Sequence, residues 1–169
     1  MSSETIEGAC EVCRGEMSPS SLSYVFQCSS CRFLMSSLFN EEVWHQKQSA
    51  LIESHRSRAL EDLRKKTAQK ILECINRFSL LEDKVLCDVG CGYGWFLDSL
   101  DGQRIHAIGI EPEETVAEAA KRKGHEVLLG RFPECLKEAD MFDVITFNDV
   151  LEHIPNPRSI IRAASDHLK

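Results

Sequence analysis

Val85-Leu86-Cys87-Asp88-Val89-Gly90-Cys91-Gly92-Tyr93-Gly94 runs from an apolar strand into an acid and then three glycines at every second position. A side chain at any of the three would narrow the turn between strand and helix. Without them, backbone N–H groups can come close to a bound ligand and the helix can start at once. Glu111 closes the next apolar run, 21 positions beyond Gly90. Nucleotide-binding βαβ units place a carboxylate on a ribose hydroxyl pair at about that distance. The stretch reads as a cofactor cradle.

Working outward, the residues past Asp83 alternate strand and helix signals. Strands are expected at 84–89, 105–110, 126–129 and 142–147. Each is a short, nearly continuous apolar run, as parallel strands buried on both faces require. Helices are expected at 94–100, 113–123 and 158–168, with Gly124 closing the second. That order predicts an α/β doubly wound parallel sheet with ligands at the carboxyl ends of its strands. Residues 39–80 contain little Gly or Pro, and apolar residues from Leu51 to Ile75 recur at helical spacing. They read as a helical linker, with Trp44 and His45 near its start either facing a substrate or, as such residues more often do, anchoring the helix to the core. A basic cluster on it (Arg56, Arg58, Arg64, Lys65, Lys66, Lys70) is interrupted by Glu61 and Asp62, as on a solvated helix face.

Residues 1–38 have a different logic. Cys10-x2-Cys13 and Cys28-x2-Cys31 are separated by fourteen residues. Two such knuckles bring four sulfurs to one tetrahedral ion at ~2.3 Å, the pattern of a zinc ribbon. Four thiolates leave no position for water, so the expected role is structural. About 30 residues bury too little apolar surface to fold unaided, and the metal supplies the difference. An iron–sulfur cluster and four unligated thiols are the alternatives. Gly15 is expected to permit a tight turn and Tyr24-Val25-Phe26 to form a hairpin strand. Cys74, Cys87, Cys91 and Cys135 are scattered and read as core or near-site thiols.

The 169 residues are 43% hydrophobic and 28% charged, which suits one ordinary domain with a small appendage. A net charge of −7 provides no general attraction to nucleic acid. No run approaches the ~18 apolar residues of a membrane span. Met1-Ser-Ser-Glu-Thr lacks the regions of a signal peptide. A cytoplasmic, reducing location is expected, where cysteines serve as metal ligands or buried thiols.

A dinucleotide fingerprint needs Gly at position 95, where this chain has Trp95. A ring there would obstruct close helix–strand packing. Asp88 would also repel a pyrophosphate and attract an ammonium. A nucleoside with a positively charged tail fits better. Asp88-Val-Gly-Cys-Gly-Tyr-Gly, Glu111, and Phe142-Asp-Val-Ile-Thr-Phe-Asn-Asp-Val-Leu-Glu-His-Ile-Pro-Asn-Pro resemble the class I S-adenosylmethionine-dependent methyltransferases, small-molecule branch. The cysteine ribbon resembles family members with an N-terminal zinc unit.

The resemblance implies a Rossmann-like sheet over 81–169 and a set of roles. Gly90, Cys91, Gly92 and Gly94 would line the methionine part of S-adenosyl-L-methionine, and Asp88 would orient its amino group. Glu111 would bond the ribose hydroxyls. Gly130 and Arg131 fall where the family contacts adenine, without the acid often found there. Asn148 and Asp149 would stand beside the sulfonium. His153 is the candidate base if the acceptor must lose a proton, although Glu152 and His153 also suit a structural turn before Pro155. His106 and His125, near strand starts, are expected to be inert.

Family members continue through three more strands beyond the position of Lys169. The resemblance therefore implies a missing C-terminal part and an open edge at 142–147, inviting a second copy or a partner chain. Two functions stay open on the sequence. One is methyl transfer to a small-molecule acceptor. The other is a non-catalytic zinc-containing interaction protein, or half of a split enzyme.

Overall fold

The computed structural model describes residues 9–37, 50–78, 80–154 and 156–169, with side chains described from Leu63 onward in its long helix. Trp44 and His45 lie outside the described residues. Two compact units are present, one built on the N-terminal residues and a larger one over Ser49–Ile154 with Ile160–Lys169.

The small unit is an antiparallel sheet of β1 (Met17–Pro19), β2 (Val25–Cys28) and β3 (Leu34–Ser36), in that spatial order. Met17 faces Cys28 and Phe26 faces Met35. The expected hairpin strand begins one residue later than Tyr24 and runs into Cys28. Cys10, Phe26 and Cys28 are buried, a core too small to hold the strands by apolar burial alone.

The larger unit contains α1 (Ala50–Ile75), β4 (Lys84–Val89), α2 (Trp95–Asp98), β5 (Ile105–Glu111), α3 (Glu114–Arg122), β6 (Glu126–Leu129), β7 (Val144–Phe147) and α4 (Pro157–Asp166), with a 3-10 turn at Leu151–His153. Its four strands are all parallel in the order β6-β5-β4-β7. The chain moves outward from β4 through β5 to β6 and then returns to the far side of β4. The carboxyl ends of β4 and β7 thus diverge at the switch point where such sheets bind ligands.

Apolar residues alternate between the two sheet faces. Leu86 joins Ala68, Leu72, Leu97, Ala117 and Ala120 on the side of α1, α2 and α3. Cys87 and Val89 join Ile110, Phe132, Phe142 and Ala164 on the other. Both faces are covered, which is why these strands are apolar throughout.

Four expected elements are shorter than their sequence patterns, α3 and α4 by one or two residues and α2 and β7 for reasons visible in the structure. α2 spans four residues, because Gly94 precedes it in the left-handed region (φ 76°) and the Ser99 hydroxyl folds back onto the Phe96 carbonyl. β7 starts at Val144, since Phe142 bridges Leu168 instead of β4. The Phe142 N–H donates to His167 O (2.9 Å) and the Lys169 N–H to Phe142 O (3.0 Å). Phe142 is consequently buried, and the expected open edge is narrowed to β7 itself.

Candidate functional site

The loop after β4 is held from β5. The N–H groups of Gly90 and Cys91 both donate to Ile110 O, at 2.8 and 3.1 Å. Gly90, Gly92 and Gly94 have φ of 72°, 55° and 76°, where a side chain is strained. Their surroundings differ. A Cβ at Gly90 would lie 2.4 Å from Val150 Cγ2, and one at Gly94 2.7 Å from His125 Cδ2. A Cβ at Gly92 would meet nothing within 4 Å, so this glycine keeps clear a space outside the protein's own packing.

Glu111 ends β5 and is largely buried. The Gly92 N–H donates to its Oε2 (3.0 Å) and the Glu113 N–H to its Oε1 (2.9 Å). Each oxygen is thereby fixed in direction by a backbone donor. Asp88, 2% exposed, lies one strand away. Its Oδ1 accepts from Thr146 Oγ1 (2.7 Å) and Asn148 Nδ2 (2.9 Å). Burial pushes the Asp88 carboxyl up to about 7, with the nearby Glu111 charge adding to it and the two hydrogen bonds opposing it.

Past β7, Asp149 takes a left-handed conformation (φ 55°) and is exposed. Arg64 on α1 reaches it, with Nη1 3.4 Å from Asp149 Oδ2. The same guanidinium sits 4.8 Å over the Trp95 ring, whose other neighbour is Tyr93 at 5.3 Å between centroids. Glu152 and His153 are exposed on the following turn. Gly130 (φ 148°) follows β6, and its N–H donates to Glu111 O (3.0 Å). A Cβ there would meet Cys135 Cβ at 2.8 Å; Arg131 beside it is exposed.

Hydrogen bonds therefore join Asp88 to Asn148 and Gly92 to Glu111 at the carboxyl ends of β4, β5 and β7, with Gly130 tied to the second pair through the Glu111 backbone. Sequence reasoning missed four residues here. Thr146, the polar residue in an otherwise apolar strand, was the legible signal for a buried partner. Val150, Arg64 and Gly109 had none. Trp95 does not obstruct the helix, because it opens α2 and leaves the close helix–strand approach to Gly109. A Cβ at Gly109 would lie 2.5 Å from Cys91 Sγ and 3.1 Å from Leu97 Cδ1. Of the two histidines expected to be inert, His106 makes an exposed pair with Glu126 (2.8 Å). His125 differs, being mostly buried with Nε2 2.6 Å from Asp98 Oδ1.

In the small unit, the sulfurs of Cys10, Cys13, Cys28 and Cys31 all lie within 4.8 Å of one another. Cys10–Cys31 and Cys13–Cys28 stand at 3.6 and 3.4 Å. Sulfurs at ~2.3 Å around a tetrahedral ion are about 3.8 Å apart, so the set fits such a metal. The two knuckles repeat one turn. Arg14 (φ 66°) donates to Cys10 O at 2.8 Å, and Arg32 (φ 62°) to Cys28 O at 3.1 Å. Left-handed backbone thus falls on the arginines rather than on Gly15. Gly15 serves by its size, since a Cβ would meet Ser30 Oγ at 2.7 Å and Cys28 Sγ at 3.0 Å. The Cys31 N–H donates to Cys28 Sγ and, with neighbouring donors, lowers that thiol, while Cys31 beside it is raised.

A family model described as a methyltransferase domain matches residues 52–169. A ubiquinone biosynthesis O-methyltransferase of Hydrogenovibrio crunogenus is 31% identical over 105 residues, covering 58% of this chain and 44% of that protein. One from Marinobacter nauticus is 35% identical over 105 residues, covering 55% and 42%. The chain thus spans less than half the length of these curated relatives. Among solved structures, a Thermotoga maritima SAM-dependent methyltransferase, described as a possible histamine N-methyltransferase, is 26% identical with a TM-score of 0.57, covering 75% of this chain and 56% of that one. Magnesium protoporphyrin IX methyltransferase from Synechocystis with bound SAM shares the fold at 18% identity and a TM-score of 0.55, covering 62% and 54%. Among the described residues no helix is long and apolar enough to cross a membrane. With a glycine loop, a strand-end carboxylate pair and a domain match over most of its length, the chain belongs to the methyltransferase-domain family and has the Rossmann-like fold of the class I S-adenosylmethionine-dependent enzymes.

Proposed function

We propose that this chain carries the cofactor-binding part of an S-adenosylmethionine-dependent methyltransferase acting on a small-molecule acceptor, with a structural zinc ion in its N-terminal ribbon. Residues 1–38 form the metal unit, 39–80 the helical connector and 81–169 the cofactor domain. The observation that carries the proposal is Gly92 facing Glu111: the loop N–H aims the carboxylate, and the missing side chain leaves room beside it. Glu111 accepts from the two ribose hydroxyls. Asp88 orients the amino group of the methionine tail, and Thr146 and Asn148 hold its carboxyl in place. Gly92 and Gly94, with Gly90 and Cys91, form the floor beneath that tail. Gly130 and Arg131 border the adenine, and Asn148 and Asp149 border the reacting centre.

The cofactor supplies a methyl group already activated on a sulfonium. The chain's own task is placement, holding an acceptor atom in line with the methyl–sulfur bond at near-attack distance. His153 takes a proton where the acceptor must release one. The small-molecule acceptor is supported by the relatives' names and by the net charge of −7. Zinc is supported by sulfur spacing and by four thiolates that leave no position for water. A cytoplasmic location suits thiolates kept reduced.

Calorimetry with S-adenosylhomocysteine tests the cofactor half. One molecule should bind per chain, and Glu111→Ala should weaken binding about a hundredfold, as expected for two charge-assisted hydrogen bonds lost together. No binding by the unmodified chain would overturn it. Elemental analysis of protein purified without added metal should give one zinc per chain.

A further inference from the structure

Three of the five loop residues 90–94 are glycines with no side chain to pack, and glycine loses more conformational freedom on ordering than any other residue. Its first half is tethered by Ile110 O and by Glu111. Its second half leads into α2, four residues long and without a side-chain cap. Such a helix cannot hold itself. Burial of Trp95, Phe96 and Leu97 holds its apolar face, and a histidine distant in sequence ties its polar face. The His125 ring lies against Gly94, where a Cβ would meet Cδ2 at 2.7 Å and Nε2 at 3.2 Å. Its Nε2 is 2.6 Å from Asp98 Oδ1, and Lys123 Nζ is 2.8 Å from the other oxygen, Oδ2. Gly94 and Asp98 are four residues apart and lie on one face of the turn, joined by the Asp98 N–H to Gly94 O bond (2.8 Å). An ionised carboxylate only accepts, so the His125 Nε2 carries the proton.

We infer that His125 is a positioning residue for the cofactor loop. It presses on Gly94 and ties Asp98, setting the backbone of 92–94 where the methionine tail must lie. The inference rests on the cofactor reading for its consequence, though the tether itself is independent of any ligand.

The test compares the full chain with His125→Ala, His125→Gln and Asp98→Ala, using amide hydrogen exchange without ligand and calorimetry with S-adenosylhomocysteine. Losing the charge-assisted bond should speed exchange at the Gly94 and Asp98 amides roughly tenfold while sparing 86–89 in β4. Cofactor affinity should fall by a similar factor. His125→Gln, whose amide N–H can replace the imidazole donor, should regain most of both. A merely structural loss would not be local to those amides and would not be rescued by Gln. Unchanged exchange and affinity in His125→Ala, or no recovery in His125→Gln, would overturn the inference. If His125→Ala does not fold, Asp98→Ala, which removes the acceptor instead of the donor, carries the same comparison. If the unmodified chain binds no S-adenosylhomocysteine, the cofactor reading fails while the exchange data still decide the tether.

Discussion

The two ends of the parallel sheet treat their acids in opposite ways. At the amino ends, Asp143 is met by Lys169 (2.8 Å), Lys84 (3.3 Å) and the Val85 N–H (3.0 Å), and Arg104 pairs with Glu82 and Asp83 at 2.8 and 2.7 Å. Lys169 above all, with the Val85 N–H, holds the Asp143 carboxyl well below the usual carboxylate range. At the carboxyl ends, Asp88 is met by a hydroxyl and a carboxamide, and burial moves it the other way, to about 7. Asp143 and Asp88 thus sit near opposite ends of the same strand pair, β4 and β7. One end uses charge to hold the sheet, while the other keeps a buried acid without neutralising it. That second arrangement gives the acid no cationic partner among the described side chains and is the one the proposed cofactor reading uses, with Asp88 facing an ammonium.

Asp88→Asn breaks the contrast most sharply. Cofactor affinity should fall on the order of a hundredfold, because the ammonium loses its counter-charge. Stability at pH 8 should rise by a few kcal/mol in urea unfolding, since the buried charge is gone while Thr146 and Asn148 keep an acceptor. Loss of both effects would remove Asp88 from the site.

The unmodified protein should show the same contrast in its pH dependence. Asp88 retains its proton in the folded state at pH values where the unfolded chain has lost it. Its contribution therefore declines as pH rises from about 3.8 to about 7. Binding of S-adenosylhomocysteine should strengthen over the upper part of that range and release a proton, seen as a buffer-dependent binding enthalpy. Asp88→Asn should abolish both.

Asp143→Asn should act with the reverse sign. A depressed carboxyl contributes stability above its ordinary value near 3.8 and loses it as pH falls further. The variant should lower the urea midpoint at pH 7 and leave cofactor affinity unchanged. A change in affinity would mean that the two ends are not separable.

Arg64→Ala should have the smallest effect. Its partly exposed pair with Asp149 and its seat on Trp95 are together worth about 1 kcal/mol, so affinity should fall only several-fold, and less at high salt.

Much of this was legible in the sequence. The strands at 84–89 and 126–129 coincide with their apolar runs because both faces of the sheet are buried, and a continuous run has few other ways to pack. The cysteine spacing led to four sulfurs in mutual reach for the same reason that it defines a ribbon. What stayed hidden depends on residues far apart in the chain. The pressure of His125 on Gly94, of Val150 on Gly90 and of Cys91 on Gly109 appears only once the sheet is assembled. Left-handed backbone at Arg14, Arg32 and Asp149 was equally invisible, since surrounding hydrogen bonds impose it on residues with no strong preference for it.

A crystal structure of the chain soaked with S-adenosylhomocysteine tests the central claim most directly. The account predicts ribose hydroxyls within hydrogen-bond distance of Glu111, the tail amino group beside Asp88, and the ligand passing over Gly92. Well-ordered density for the loop with no ligand between those two carboxylates, or ligand bound elsewhere, would contradict it.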